Sequence, residues 1–470
     1  RGPRGNGTGM LFGAAYYPEH HDPETWDGDL DLMAKASVNC LRVGEFAWSR
    51  FEPEEGRYEF DWLDSFIEKA ARRNVGLLLC PPLRTPPAWL VEKDGTVKLE
   101  REDGVRLEFG SRYSFCINHP LLLDRGAALA AELGCRYGGS ENISGWHLDN
   151  EIGDEPDCHC PICRVQFQEY CRRRYRGIET LNESWGLEFW GLKFNHFGQV
   201  PTPRASKTWH SPGHLLAWRR FRSESNISAM SRLMDALKPH RGRGQFITTN
   251  NQCLHNYRTD YFEMAKQLDV TGTNYYPPYG SNSRALSFGL ANVRGYKGGA
   301  NFQVHELRNS PHMIPGARGN MPAPGEVERL TMHCIANGAE GIFYFCWRAR
   351  AFGCEQSHGA IADIDGRPNR IYSEVCRAGQ RLKALAGRID ATRVESRTAV
   401  LYDFPTRWIM EDRSDWNGPR WFYIETAKKA YEAVRRQGVN CDSTGRDSDW
   451  FKYRVLIVPG LSSVDDRLAG

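Results

Sequence analysis

The run Ile143-Ser144-Gly145-Trp146-His147-Leu148-Asp149-Asn150-Glu151 decides the architecture. Its first six residues read as a short buried strand, and its last three form an abrupt polar cluster. In a parallel barrel the C-terminal ends of the strands form the face that carries chemistry. Glu151, placed directly after such a strand, is therefore expected to point toward a substrate.

Outward from this run, short segments rich in β-branched and aromatic residues alternate with longer amphipathic stretches, the pattern of βα units around a parallel sheet. The strand segments are Leu11–Tyr17, Cys40–Gly44, Val75–Cys80, Ile143–Leu148, Gln245–Thr249, Val270–Tyr275, Asn301–His305 and Gly341–Cys346. Helical patterns at Leu63–Arg73, Leu121–Tyr137, Arg164–Tyr175, Leu215–Leu237 and Glu326–Asn337 separate them. Eight strands of this kind make an α/β chain with a (β/α)8 TIM barrel, expected over residues 10–392 behind a loose Gly-rich, basic tail at 1–9. After Gly387 the pattern restarts with a strand at Thr398–Asp403, a helix near Tyr423–Gln437 and a strand at Tyr453–Pro459. These read as the opening of a second, open α/β domain over 393–470, expected to be incomplete at Gly470.

Bulk composition narrows the partners. Across 470 residues, 61 Lys and Arg face 58 Asp and Glu, a net charge of +3. So small a charge creates no field that would gather nucleic acid or an anionic membrane, and it suits a neutral substrate. Fourteen Trp supply flat apolar rings of the kind that sugars stack on, although most such rings belong to cores. There is no run of about 18 apolar residues long enough for a membrane helix. Fourteen Cys are too dilute for a disulfide scaffold in a chain this long, which points to a reducing, cytoplasmic setting. The first residue is Arg1 rather than Met, so a removed export signal stays open as an alternative.

A second strand, Asn301-Phe302-Gln303-Val304-His305-Glu306, also ends on a carboxylate. Counted along the barrel, Glu151 follows the fourth strand and Glu306 the seventh. Cleavage of a glycosidic bond needs one protonated carboxyl at the leaving oxygen and one carboxylate at the anomeric carbon. Two glutamates on the barrel face meet that need, and a separation of about 5 to 5.5 Å would give retention of configuration. Either Glu alone is equally consistent with an ordinary solvated strand end; the pair, with Asn150 beside Glu151, is not. Glu151 is expected to be the acid/base, with a raised pKa, and Asn150 to bond a sugar 2-hydroxyl. Glu306 is expected to be the nucleophile, held ionised by His305 or by arginines.

The flanking motifs make the pattern recognisable. Phe12-Gly13-Ala14-Ala15-Tyr16-Tyr17-Pro18-Glu19, Leu41-Arg42-Val43-Gly44-Glu45-Phe46-Ala47-Trp48, and Trp347-Arg348 followed by Glu355-Gln356-Ser357-His358-Gly359 resemble glycoside hydrolase family 42. The similarity runs in order from about Gly9 to Gly470. It implies a retaining exo-β-galactosidase acting on terminal non-reducing β-D-galactosides, with Arg42, Glu45, Arg112, Asn150, Tyr275, Glu355 and His358 around the sugar. It also implies a flavodoxin-like second domain and a homotrimer. The same resemblance leaves room for α-L-arabinopyranosidase or β-fucosidase action, or for a carbohydrate-binding protein without turnover. One departure stands out: Leu307–Asn320 contains no Trp where the family usually has one, which is expected to open the aglycone side.

Cys158-His159-Cys160-Pro161-Ile162-Cys163 places three thiols within six residues, a spacing that lets thiolates converge on one ion. The resemblance supplies Cys116 as the fourth ligand of a structural zinc, with His159 as the competing one. A closed four-thiolate shell has no open position, so zinc-dependent hydrolysis is disfavoured.

Overall fold

The computed structural model describes residues 9–469 apart from 282, 313–318, 357, 390–391 and 413–421. Of the expected tail at 1–9, residues 1–8 thus lie outside the described residues, as do Ser357 and part of the Trp-free segment.

Nine parallel strand segments form one sheet: β1 (Leu11–Ala15), β2 (Cys40–Val43), β3 (Gly76–Leu79), β4 (Ile143–His147), β5 (Phe246–Thr248), β6 (Asn250–Asn251), β7 (Gly272–Tyr275), β8 (Phe302–Arg308) and β9 (Ala339–Phe345). Their order is β5-β4-β3-β2-β1-β9-β8-β7-β6. The two ends of that order, β5 and β6, are separated in the chain only by Thr249, so the sheet closes on itself as an eight-position TIM barrel. The fifth barrel strand, expected to be unbroken over Gln245–Thr249, is interrupted there and runs on through Asn250–Asn251, a polar pair with no strand signature. The Thr249 hydroxyl donates to the Leu148 carbonyl at 2.7 Å.

The helices lie close to their expected positions, and the reasons are local. Asp61–Ala71 buries Leu63, Phe66, Ile67 and Ala70, the spacing of one helical face. The helices Pro120–Tyr137, Pro161–Tyr175 and Pro212–Leu237 each begin on proline, whose fixed φ and missing N–H suit a first turn. None of the helices in the described residues is long and apolar enough to cross a membrane.

One irregularity governs the site. The β8 pairing passes from Val304↔Ile342 to Leu307↔Tyr344, three residues on β8 against two on β9, and on the other side from Thr273↔Val304 to Asn274↔Glu306. This is a β-bulge, which leaves one extra residue and re-aims its side chain. Strict alternation would turn His305 and Glu306 to opposite faces. The bulge brings both to the barrel interior. It also corrects the strand end: β8 continues to Arg308, so Glu306 lies within the strand rather than at its last position.

The C-terminal segment forms a three-stranded parallel sheet in the order β11-β10-β12, made of β10 (Thr398–Leu401), β11 (Asp442–Thr444) and β12 (Val455–Ile457). The short polar β11 and the helix Phe404–Asp412 were not legible in the sequence; the helix Phe422–Arg436 was. Arg294, on the barrel helix Ser283–Tyr296, ties this sheet down. It is 1% exposed, and its Nε and Nη2 donate to Asp442 Oδ1 at 3.0 and 2.7 Å while Nη1 donates to the Asn337 carbonyl at 2.8 Å. Removing one partner of a buried ion pair leaves the other charge uncompensated. Arg294→Ala is therefore expected to destabilise the protein by about 3–5 kcal/mol, read as a lowered unfolding midpoint in thermal denaturation. An unchanged midpoint would remove this pair from the account of how the second sheet is held.

Candidate active site

The segment after β4 is held in an unusual backbone shape. Asp149 and Glu151 have φ values of +49° and +48°, a left-handed region that non-glycine residues seldom occupy. Gly153 follows at φ +95°, where a Cβ would lie 2.4 Å from Thr259 Oγ1, so only glycine fits. Buried partners hold the turn: the Glu151 N–H donates to Asn250 Oδ1 at 2.7 Å, and the Tyr261 hydroxyl donates to the Ile152 carbonyl at 2.9 Å.

The Glu151 side chain sits in a ring of polar groups. Asn274 Nδ2 donates to Oε1 at 2.8 Å and the Tyr113 hydroxyl to Oε2 at 3.3 Å. Asn250 Nδ2 reaches both Asn150 Oδ1 and Asn274 Oδ1, at 2.7 and 2.9 Å, and Asn150 Nδ2 donates to Tyr113 Oη at 2.9 Å. Burial pushes the Glu151 carboxyl above the usual glutamate range, and the Glu306 charge adds to the shift. Arg112 and the Asn274 amide oppose it.

Glu306 has different company. Arg42 Nη2 lies 2.5 Å from Oε1, and the Tyr276 hydroxyl donates to Oε2 at 2.5 Å. Arg42 is fully buried, with its Nε 2.7 Å from Glu45 Oε2, and the Tyr17 hydroxyl donates to the other Glu45 oxygen. Burial raises the Glu45 pKa, and Arg42 opposes that rise. One guanidinium thus bridges two buried carboxylates.

Two expectations need correction. His305 does not serve Glu306: its Nε2 meets Gln303 Oε1 at 2.9 Å, its ring packs against His147 at 4.7 Å, and burial lowers its pKa well below the usual histidine value. A neutral imidazole turned toward Gln303 is no countercharge; the cation that meets Glu306 is Arg42. Tyr275 is also turned away, donating its hydroxyl to the Leu286 carbonyl at 2.9 Å. Its neighbour Tyr276, on the opposite side of the chain, is the one that reaches the site.

The remaining expected residues gather at the rim. Arg112 lies over the rings of Tyr113 and Phe46 at 4.8 and 5.6 Å, with Nη1 3.9 Å from Glu355 Oε1. Glu355 Oε2 accepts from Arg350 Nη1 at 2.8 Å and lies 4.0 Å from His358 Nδ1. Arg350 in turn covers the Tyr17 ring at 4.3 Å. The structure therefore brings Arg42, Glu45, Arg112 and Asn150 around the two glutamates and links Glu355 and His358 to them through Arg112. It adds Tyr17, Tyr113, Asn250, Asn274, Tyr276 and Arg350. Asn250 and Asn274 had a sequence signal, since both are polar groups at C-terminal strand ends, whereas Tyr113 sits on a long loop with none.

Beside this face, Cys116, Cys158, Cys160 and Cys163 are all buried, with their sulfurs within 4.8 Å of one another. Cys116 Sγ is 3.6 Å from Cys160 Sγ and 3.5 Å from Cys163 Sγ. His159 is not in this group; its ring stacks on Trp218 at 4.8 Å.

Comparison with known proteins agrees with this geometry. The family model described as β-galactosidase, glycoside hydrolase family 42, matches residues 15–385, and the β-galactosidase trimerisation domain model matches 396–470. A β-galactosidase of Thermus thermophilus is 32% identical over 97% of this chain and 72% of its own length. One from Haloferax lucentense is 30% identical over 98% and 70%. The crystal structure of a β-galactosidase from Rahnella sp. R3 superposes with a TM-score of 0.91 at 29% identity, covering 96% of this chain and 67% of that one.

The interplay of the two carboxyls gives a direct test. Glu306→Gln removes the like charge near Glu151 while leaving its burial intact. The Glu151 carboxyl, followed by carbon-13 NMR titration, is expected to titrate at lower pH than in the parent protein yet still above an ordinary glutamate. Titration unchanged from the parent would show that the two groups do not sense each other.

Proposed function

Because the chain belongs to the β-galactosidases of glycoside hydrolase family 42, we propose that it removes terminal non-reducing β-D-galactosyl groups by double displacement, with retention of configuration. The observation that carries this reading is the asymmetry between two neighbouring buried carboxyls. Burial and a like charge push Glu151 toward its protonated form, whereas Glu306 is met by a guanidinium and a phenol.

In the first displacement, the Glu151 carboxyl gives its proton to the glycosidic oxygen as a Glu306 oxygen bonds to the anomeric carbon. The carbon–oxygen bond to the aglycone breaks, and the aglycone leaves as an alcohol. In the second, the Glu151 carboxylate takes a proton from water, the water oxygen bonds to the anomeric carbon, and the galactosyl ester breaks to restore Glu306. Arg42 and Tyr276 hold the two Glu306 oxygens so that the carboxylate keeps its aim through both steps. Asn150, locked to Asn250 and Tyr113, is placed to meet the sugar 2-hydroxyl. Arg112, Glu45, Glu355 and His358 offer the donors and acceptors that read the other hydroxyls, and unmet buried partners would penalise an epimer.

Glu306→Gly is expected to lower hydrolysis of nitrophenyl β-galactoside by about 10⁴-fold or more. Azide should then restore turnover and give the α-configured galactosyl azide, since it attacks from the vacated side. Full activity in this variant, or a β-configured azide, would sink the nucleophile assignment.

The Trp-free segment Leu307–Asn320 favours a second substrate reading, α-L-arabinopyranosides or β-D-fucosides, which share most of the ring stereochemistry of galactose. Comparing kcat/KM on the three nitrophenyl glycosides decides it. Galactoside is expected to lead, and either rival leading would reassign the sugar.

Cys116, Cys158, Cys160 and Cys163 would hold a structural zinc ion. Zinc–sulfur bonds of about 2.3 Å in a tetrahedron set sulfurs about 3.8 Å apart, close to the spacings around Cys116. Four thiolates on one zinc leave a net negative charge. Arg222, 1% exposed and paired with Glu155 and Asp157 at 3.5 and 3.6 Å, also has Cys163 and Cys158 among its electrostatic neighbours. Zinc bound there would cross-link the loops without entering the reaction. Metal analysis is expected to give about one zinc per chain, and Cys160→Ala to lower both zinc content and the unfolding midpoint. Zinc-free protein of unchanged stability would reject the site.

A further inference from the structure

We infer that Arg84, which bonds Asp149 and Glu155 rather than the Glu151 carboxyl itself, is the positioning residue that sets where that carboxyl stands. The inference rests on the reading of Glu151 as the acid. Arg84 is 1% exposed, on the segment leading from β3. Its Nε donates to Asp149 Oδ2 at 2.5 Å, and its Nη1 donates to Glu155 Oε2. Those two carboxylates bracket Glu151 in the chain, so one guanidinium staples the turn on both sides of it. The staple is reinforced by the backbone, because Asp149 Oδ1 accepts from the Leu83 and Arg84 N–H groups at 3.1 and 3.3 Å.

The same guanidinium has a third contact. It lies 4.6 Å over the ring of Tyr113, whose hydroxyl bonds Glu151 Oε2 and accepts from Asn150. Arg84 therefore orients the backbone that carries Glu151 and a group that holds its carboxyl. The left-handed φ at Asp149 and Glu151 is the conformation that such a clamp has to maintain, since an unclamped turn would relax away from it. A planar fork can serve two carboxylates and a ring face at once, whereas a lysine ammonium is a single point charge without that shape.

If the clamp acts through Glu151, its loss should injure proton donation and spare attack by Glu306. Departure of an alkoxide needs the proton, while departure of a dinitrophenolate does not. The test is kcat/KM of Arg84→Lys on methyl β-galactoside and on 2,4-dinitrophenyl β-galactoside, with Glu155→Gln as the variant to use if Arg84→Lys does not fold. The expected result is a loss of about 100-fold on the methyl glycoside against less than about threefold on the dinitrophenyl one. An equal loss on both substrates would mean a general structural role, and no loss on either would mean no role; each overturns the inference. Glu151→Ala is measured in parallel. If it lacks the same split, the acid assignment itself fails. If it shows the split and Arg84→Lys does not, the failure belongs to the positioning role alone.

Discussion

A charge removed from water has to be met by an opposite charge or by several hydrogen bonds, and this constraint organises the catalytic face of the barrel. Arg42 is wholly buried and tolerable there only because Glu45 and Glu306 lie on two sides of it. Arg84 is buried against Asp149 and Glu155 in the same way. Each arginine needs both of its carboxylates, and each carboxylate is thereby fixed relative to the barrel wall. Satisfying buried charge and fixing the geometry of the site are thus one arrangement.

The same constraint separates the surroundings of the two glutamates. Glu151 accepts from neutral donors such as the Asn274 amide and the Tyr113 phenol, and has the Glu306 charge nearby. Glu306 takes a guanidinium directly. Two residues of one type, a few strands apart, thus become unlike groups, as the proposed roles of acid and nucleophile require. His305 looked well placed to help because it precedes Glu306 in the chain. Its burial beside a second neutral histidine makes it unsuited to carrying charge, so the structure uses it as a packing group in the barrel interior.

Much of the fold was legible because its signals are local. Strand segments with buried apolar residues, helices with one apolar face and prolines at first turns each declare themselves within a few residues, and the closure into a barrel follows from their number and alternation. The parts that were not legible are those whose side chains carry no periodic signal. Asn250 and Asn251 continue a strand although both are polar, and Asp442–Thr444 pairs in the second sheet although it is short and hydrophilic. In both cases the neighbouring strand supplies the pairing that composition does not announce.

For the site, the sequence by itself singled out Glu151, Glu306 and Asn150 beside recognisable strands and three clustered cysteines, while the family resemblance pointed to most of the surrounding charged residues and to Cys116. Only the tertiary structure decided which way the chain faces at each of them. The bulge in β8 turns Glu306 inward beside His305, and the choice of Tyr276 over Tyr275 depends on where the ring next to the end of β7 is allowed to point. Side-chain direction along a strand depends on register against its neighbours. That register is a relation between distant segments, so it comes into being only when the barrel closes.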